Sequence, residues 1–332
     1  MLLRGNAVAL PIRDESVDCC VTSPPYWGLR DYGHVGQIGM ETSLDDYLAA
    51  LHQAFGEVRR VMRSSGTLWV NMGDAYASDG KFGGETGGKQ SYLPDSDRRR
   101  DGRSKRITGL KPKDLIGMPW MLAFALRADG WFLRSEIIWE KPSCLPESVK
   151  DRPTKAHEHL FLLTKSERYY FDADAIKEPA SLDTHARYAR GRSNSHKYAD
   201  GGPGGQTIAR TLDHIAGVNP KAAANAAGNR QNSSFSAAVK DIVETRNKRT
   251  VWRVDHRGFS GAHFATFPEA LVEPCILAGC PVGGVVLDPF IGSGTVGQVA
   301  ERLGRRWIGV DLGYHDLSRK RTAQRGLFTA TA

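Results

Sequence analysis

Cysteine is scarce and scattered in this 332-residue chain: Cys19, Cys20, Cys144, Cys275 and Cys280, with no C-x-x-C pair. That argues against a disulfide framework and a cysteine zinc site, and it fits a reducing compartment. Long apolar runs are missing as well. No window approaches the roughly 18 uninterrupted apolar residues of a membrane helix. The opening MLLRGNAVALPIRDESVD is too charged, and too short in apolar run, for a secretory leader. Internal repeats are absent, and no metal-ligating cluster stands out. These absences lead to the expectation of a soluble, cytoplasmic protein without a membrane partner or a metal.

What is present is a globular composition, 40% hydrophobic and 25% charged, with a net charge of +8. The length allows one large domain or two ordinary ones, each with a real core. The basic balance favours a polyanionic partner. Along the chain, helix and strand patterns alternate. MLLR (1–4) and VDCCVT (17–22) read as strands. Ser43 caps a helix with Asp46 as the acidic half of a capping box. Its stripe is Leu44, Tyr47, Leu48, Leu51, Phe55, Val58 and Met62, and Gly66 is expected to end it. TLWVNM (67–72), WFLRSEIIW (131–139) and HLFLLTK (159–165) read as further strands, and MPWMLAFALRADG (118–130) as a helix. The alternation predicts an α/β fold with a mostly parallel sheet.

Two stretches break it. Residues 77–114 are rich in Gly, Ser, Arg and Lys, with RRRDGRSKR at 98–106. Residues 185–250 are poor in large apolar side chains. Loops of this length are functional or disordered, and a charge run is either a solvated surface or a nucleic-acid contact.

The segment GGVVLDPFIGSGTVGQVAERLGRRWIGVD (283–311) carries the most chemistry. A strand is followed by Gly292, Gly294 and Gly297 in G-x-G-x-x-G, a helix, and a second strand ending in Asp311. That order makes a nucleotide-binding βαβ unit, with the terminal acid placed for ribose hydroxyls. In dinucleotide enzymes the strand runs straight into the first glycine and the helix receives a pyrophosphate. Here DPF intervenes. The Asp288 carboxylate would repel a pyrophosphate and attract an ammonium group, as in S-adenosylmethionine, so NAD chemistry becomes the weaker alternative.

At the other end, VDCCV runs into TSPPY (22–26), where two prolines remove backbone donors and stiffen the chain before Tyr26. DPFIGSGT together with TSPPY resembles the amino-group DNA methyltransferases. The order, SPPY first and cofactor loop last, is similar to their β-class. The resemblance covers all but residues 77–114 and 185–250, including KAHEHLFLLTKSERYYF (155–171) and HFATFPEALVEPCILAGCP (263–281).

The resemblance implies a Rossmann-like, circularly permuted methyltransferase fold. It assigns residues 1–173 to the catalytic part, 174–250 to a target-recognition insertion, and 251–332 to the cofactor-binding part of the same domain. Ser23, Pro24, Pro25 and Tyr26 become the catalytic residues: the Ser23 hydroxyl and Pro24 carbonyl accept protons of a base amine, and Tyr26 stacks on the base. S-adenosylmethionine would be held by Asn6, Thr22, His263, Phe264, Phe267, Pro268, Asp288, Phe290, Gly292, Ser293, Gly294, Thr295 and Asp311. Many relatives carry Asp where Asn6 stands. Duplex DNA is the implied partner, contacted by Arg98, Arg99, Arg100, Arg103, Lys105 and Arg106, with Trp27 either stacking or part of the core. A homodimer and a cognate restriction endonuclease are further partners it admits, and association with the nucleoid follows.

Ser rather than Asp before the prolines leans toward cytosine N4 over adenine N6. A catalytically silent DNA-binding protein and an RNA or protein methylase remain alternatives. Pro274–Cys275 precedes the cofactor loop, so it reads as an apolar helix position rather than a nucleophile. His157 and His159, two apart on a strand, read as hydrogen-bonded histidines rather than metal ligands.

Overall fold

The computed structural model describes residues 1–29, 31, 33–77, 109–144, 146–180, 245–255 and 267–313. The predicted basic contacts Arg98, Arg99, Arg100, Arg103, Lys105 and Arg106, and the cofactor candidates His263 and Phe264, lie outside these residues. The chain divides into two units, one of Met1–Ala175 with Arg249–Ala332 and one of Ile176–Lys248.

Eight strands of the first unit form one sheet: β1 (Leu2–Arg4), β2 (Val17–Thr22), β3 (Met62–Met72), β4 (Phe132–Glu140), β5 (His157–Thr164), β8 (Val251–Arg253), β9 (Val285–Asp288) and β10 (Arg306–Asp311). Their order is β1-β10-β9-β2-β3-β5-β4-β8. Every pairing is parallel except the two made by β5. Four helices accompany them among the described residues: α1 (Leu44–Val61), α2 (Met118–Ala128), α3 (Glu269–Gly279) and α4 (Thr295–Arg302). The expected Rossmann-like α/β fold is what the chain forms.

The sheet is covered on both faces, and strand alternation shows how. Cys20, Leu68 and Val70 share a core with Tyr47, Leu51, Phe55 and Val58 of α1 and Leu122 and Leu126 of α2. Their neighbours Cys19, Thr67 and Trp69 point the other way, where a Cβ on Gly279 of α3 would meet all three within 3.2 Å. β2 is central, and five of its six residues are buried. That is why VDCCVT reads as a continuous rather than an alternating pattern.

Helix α1 departs from expectation at both ends. Ser43 accepts the Asp46 N–H at 3.1 Å, but the Asp46 carboxylate takes the Ser43 hydroxyl at 2.6 Å rather than a backbone N–H. The helix stops at Val61, not Gly66. Met62 turns extended, and its pairing with Val17 is followed by the pairing of Thr67 with Cys19, so β3 carries extra residues there. Gly66 sits inside that bulge, where a Cβ would meet Met62 Cγ at 2.4 Å. The regular strand begins at Thr67.

In the second unit, β6 (Glu178–Pro179) pairs antiparallel with β7 (Thr245–Arg246), and Arg246 meets Glu178 at 2.9 Å. The two ends of a long segment are thereby tied together, the usual geometry of an inserted unit. Among the described residues no helix is long and apolar enough to cross a membrane.

Candidate active site

Adjacent parallel strands whose connections leave in opposite directions open a crevice at their carboxyl ends. β9 continues through α4 to β10 on one side, and β2 through α1 to β3 on the other. The carboxyl end of β9 is Asp288 and that of β2 is Thr22. The Thr22 hydroxyl donates to Asp288 Oδ1 at 2.7 Å across 266 residues of sequence. DPFIGSGT and TSPPY therefore leave the sheet side by side.

In the β9 half, burial pushes the Asp288 carboxyl up to about 7, against the lowering effect of the Thr22 hydroxyl and the Phe290 N–H. Gly292 (φ +46°) and Gly294 (φ +88°) make the left-handed turn before Thr295 starts α4. Gly297 serves the packing instead, since a Cβ there would meet the Trp307 ring at 2.9 Å and hold α4 away from β10. Ser293 and Thr295 place their hydroxyls 3.4 Å apart at the head of the helix. Asp311 ends β10 and accepts the Gly292 and Gly313 N–H groups, one on each oxygen. Arg4 pairs with Asp311, which sets Asn6 beyond the same edge, its Oδ1 taking the Val8 N–H at 3.2 Å. Phe267 and Pro268 precede α3, with Pro268 at its N-cap.

The β2 half is built differently. Tyr47 of α1, wholly buried, donates its hydroxyl to the Pro25 carbonyl at 2.8 Å. Tyr26 donates to Glu158 Oε2 at 2.7 Å, and Asn71 Nδ2 donates to the Tyr26 oxygen at 2.9 Å and to Glu158 at 2.8 Å. Lys141 holds the other Glu158 oxygen. Ser23 and the Gly73 backbone act on the Tyr26 phenol as lowering influences that burial and Glu158 outweigh. A Cβ on Gly73 would meet the Tyr26 ring at 2.8 Å, so only glycine lets the ring lie there. Burial, then the nearby Glu158, push the phenol well above its ordinary value, so Tyr26 keeps its proton.

Trp27 is partly buried, stacks on Tyr47 with centroids 6.4 Å apart and donates its indole N–H to the Glu41 carbonyl. Its anchoring is to the core. Pro274 and Cys275 lie within α3, where the Cys275 thiol is buried and donates to the Leu271 carbonyl. His159 Nδ1 meets Glu136 at 2.6 Å, and no metal-binding group of His, Cys, Asp and Glu occurs among the described residues. Sequence reading missed Glu158, Asn71, Lys141 and Tyr47. A usable signal existed in two of them: Glu158 shares a strand face with Leu160 and Leu162, and Asn71 interrupts the apolar run LWVNM.

A Rossmann-like sheet with an acid-led glycine loop beside a Ser-Pro-Pro-Tyr tip at its switch point defines a methyltransferase. The chain matches the DNA methylase family designated N6_N4_Mtase over residues 17–319, and it belongs to that family. It is 42% identical to the Type II methyltransferase M.SmaI of Serratia marcescens, over 94% of this chain and 86% of that protein. It is equally similar to M.Cfr9I of Citrobacter freundii, over 94% and 83%. Among solved structures, PvuII DNA methyltransferase, described as cytosine-N4-specific, shares the fold with a TM-score of 0.57 at 17% identity, over 100% of this chain and 87% of that one.

Proposed function

We propose that this chain is a site-specific methyltransferase that moves the methyl group of S-adenosylmethionine to N4 of a cytosine flipped out of duplex DNA. The observation that carries the reading is the Ser23-Pro24-Pro25-Tyr26 tip held beside Asp288 by the Thr22 hydrogen bond. The residues suit the cofactor. Asp288 is a buried carboxyl whose proton affinity is raised by burial and by Asp311, with no cation acting on it among the described residues, and an α-ammonium would supply that charge. A carboxylate oxygen has lone pairs for more than one donor, so Asp311 can accept ribose hydroxyls as well as backbone N–H groups. Gly292, Ser293, Gly294, Thr295, Phe290, Asn6, Phe267 and Pro268 would complete the pocket, with His263 and Phe264. When bound, the cofactor supplies an electrophilic methyl group.

The protein's own part is to make a poor nucleophile usable. The lone pair of an exocyclic base amine is delocalised into its ring. Acceptors that hold the amine protons, the Ser23 hydroxyl and the Pro24 carbonyl, favour a pyramidal nitrogen, while Tyr26 stacks on the base. Two prolines and the Tyr47 clamp on Pro25 keep these groups preorganised. Flipping costs a few kcal/mol, and stacking on an aromatic ring returns about 1–3 kcal/mol.

Similarity to Type II methyltransferases supports action at a defined site, in the cytoplasm and beside a cognate endonuclease. The recognition role falls to residues 174–250, and light scattering of the purified protein tests for a homodimer. Arg98, Arg99, Arg100, Arg103, Lys105 and Arg106 are proposed phosphate contacts, with Trp27 a lesser DNA contact. Replacing Arg98, Arg99 and Arg100 should flatten the salt dependence by up to about 0.9 per lost contact; an unchanged slope ends that role. The deciding experiment sequences methylated DNA with a method that separates N4-methylcytosine from N6-methyladenine. N6-methyladenine alone would replace cytosine with adenine as the target.

A further inference from the structure

The chain that leaves the tyrosine tip does not run directly into α1. The ends of the segment 28–39 meet, with the Gly28 N–H donating to the Gly39 carbonyl at 2.8 Å. A loop of this length with its ends drawn together is a compact unit rather than a slack connection. Its neck is fastened to the tip. The Leu29 N–H donates to the Tyr26 carbonyl at 3.2 Å, and a Cβ on Gly39 would stand 3.1 Å from that same oxygen. The Gly39 N–H donates to the Glu41 carboxylate at 2.8 Å, and the Glu41 carbonyl takes the Trp27 indole.

At its far end the loop has an outer and an inner side. Val35 is fully exposed. Its two neighbours meet the ends of the sheet: a Cβ on Gly313 would run into the His34 imidazole, and a Cβ on Gly36 would come within 3.7 Å of the Asn6 amide nitrogen. Gln37 holds this turn, its N–H donating to the His34 carbonyl at 3.2 Å and its Oε1 accepting the His34 N–H at 3.4 Å. Gly313 is the residue whose N–H reaches Asp311 at 2.7 Å, and Asn6 follows β1, which pairs with β10. The loop therefore begins at the Tyr26 tip and comes down beside the two residues proposed to hold adenosine.

We infer that His34 is a further cofactor-binding residue, the aromatic contact that loop 28–39 brings to the purine ribonucleoside end of the pocket. The inference rests on the methyl-transfer reading proposed above, which places adenosine between Asn6 and Asp311. An imidazole offers a flat aromatic face and two ring nitrogens, the groups on which a purine stacks and to which a ribose hydroxyl hydrogen-bonds. Glycine at 313 leaves the ring its place, and a side chain there would displace it.

The test measures, by calorimetry, the affinity of the full chain for S-adenosylmethionine and for 5′-methylthioadenosine, which keeps the nucleoside but has neither ammonium nor carboxylate. Wild type is compared with His34→Ala, Gly313→Ala, the double variant and Val35→Ala. His34→Ala should weaken both ligands by the same factor, about tenfold, because the loss falls on the part they share. Gly313→Ala should weaken both by pushing the ring away, and should cost nothing more once His34 is alanine. Val35→Ala, on the outer side, should bind as wild type does.

Wild-type affinity in His34→Ala overturns the inference, and so does a loss confined to S-adenosylmethionine, which would put His34 at the methionine end. An equal loss in Val35→Ala overturns it as well, since loop order and not the ring would be at work. Multiplicative losses in the double variant do the same. Should His34→Ala fail to fold, His34→Leu, which keeps bulk without the flat ring, takes its place with the same expectation. A wild type that binds neither ligand sinks the methyl-transfer reading too. A wild type that binds both, with His34→Ala unchanged, sinks only the role of His34.

Discussion

The two halves of the site sit on neighbouring strands and are held by opposite means. The β9 half is almost self-contained: Gly292, Gly294, Thr295, Trp307 and Asp311 all belong to one βαβ unit, and most of its contacts are backbone. The β2 half takes its rigidity from afar: Tyr47 on α1 holds Pro25, Asn71 on β3 and Glu158 on β5 hold Tyr26, and Lys141 just beyond β4 holds Glu158. A binding loop for a constant cofactor can be encoded locally. A tip proposed to position a base for transfer draws its supporting side chains from three other strands or strand ends and a helix.

Substitutions should separate the halves. The largest effect is expected for Tyr26→Ala, which removes the proposed stacking ring and strands Asn71 and Glu158. Turnover should fall at least about a hundredfold, with cofactor affinity within about twofold of native. Comparable losses in both quantities would show that the halves are one unit.

Next comes acidity. In the proposed role Asp288 must ionise to hold an ammonium, and its carboxyl is pushed up to about 7. Cofactor affinity should rise through neutrality, being about tenfold weaker at pH 6 than at pH 8, while Asp288→Asn binds weakly with a flat profile. A flat native profile would place the ammonium elsewhere. Folding moves the opposite way. The unfolded carboxyl titrates near ~3.9, so the raised folded value favours the empty fold below that pH and loses its contribution as pH climbs through 7. The melting advantage of Asp288→Asn over the native protein should therefore grow between pH 5 and pH 8.

Gly297→Val should follow, since its side chain would enter the Trp307 ring; destabilisation of about 1–3 kcal/mol is expected by denaturant titration. Thr22→Val is the mildest. Losing the bond to Asp288 should cost about 1 kcal/mol and move the affinity midpoint to higher pH, because a lowering contact is gone.

The same contrast decides what was legible beforehand. DPFIGSGT, its helix and Asp311 could be read directly because glycine spacing and the strand-end acid are local patterns. The mostly parallel sheet followed from alternation, and the predicted stripe found Leu44, Tyr47, Leu51, Phe55 and Val58, which α1 buries, while missing Ala54 and Val61. The early helix end at Val61 was not legible, because Gly66 marks a bulge against Met62 rather than a helix stop. Nor was the Glu158 network. It depends on the antiparallel placement of β5 between β3 and β4, and pairing partners are not written in the local sequence of a strand.

The hydrogen bond from Thr22 to Asp288 also sets a clock for synthesis. At about 5–20 residues per second, the 266-residue separation takes on the order of tens of seconds to be synthesised. Throughout that interval a nascent chain already carries Tyr26 but lacks Asp288 and the glycine loop after it. If the proposed site is the working one, a polypeptide cut short before β9 should be inert toward DNA.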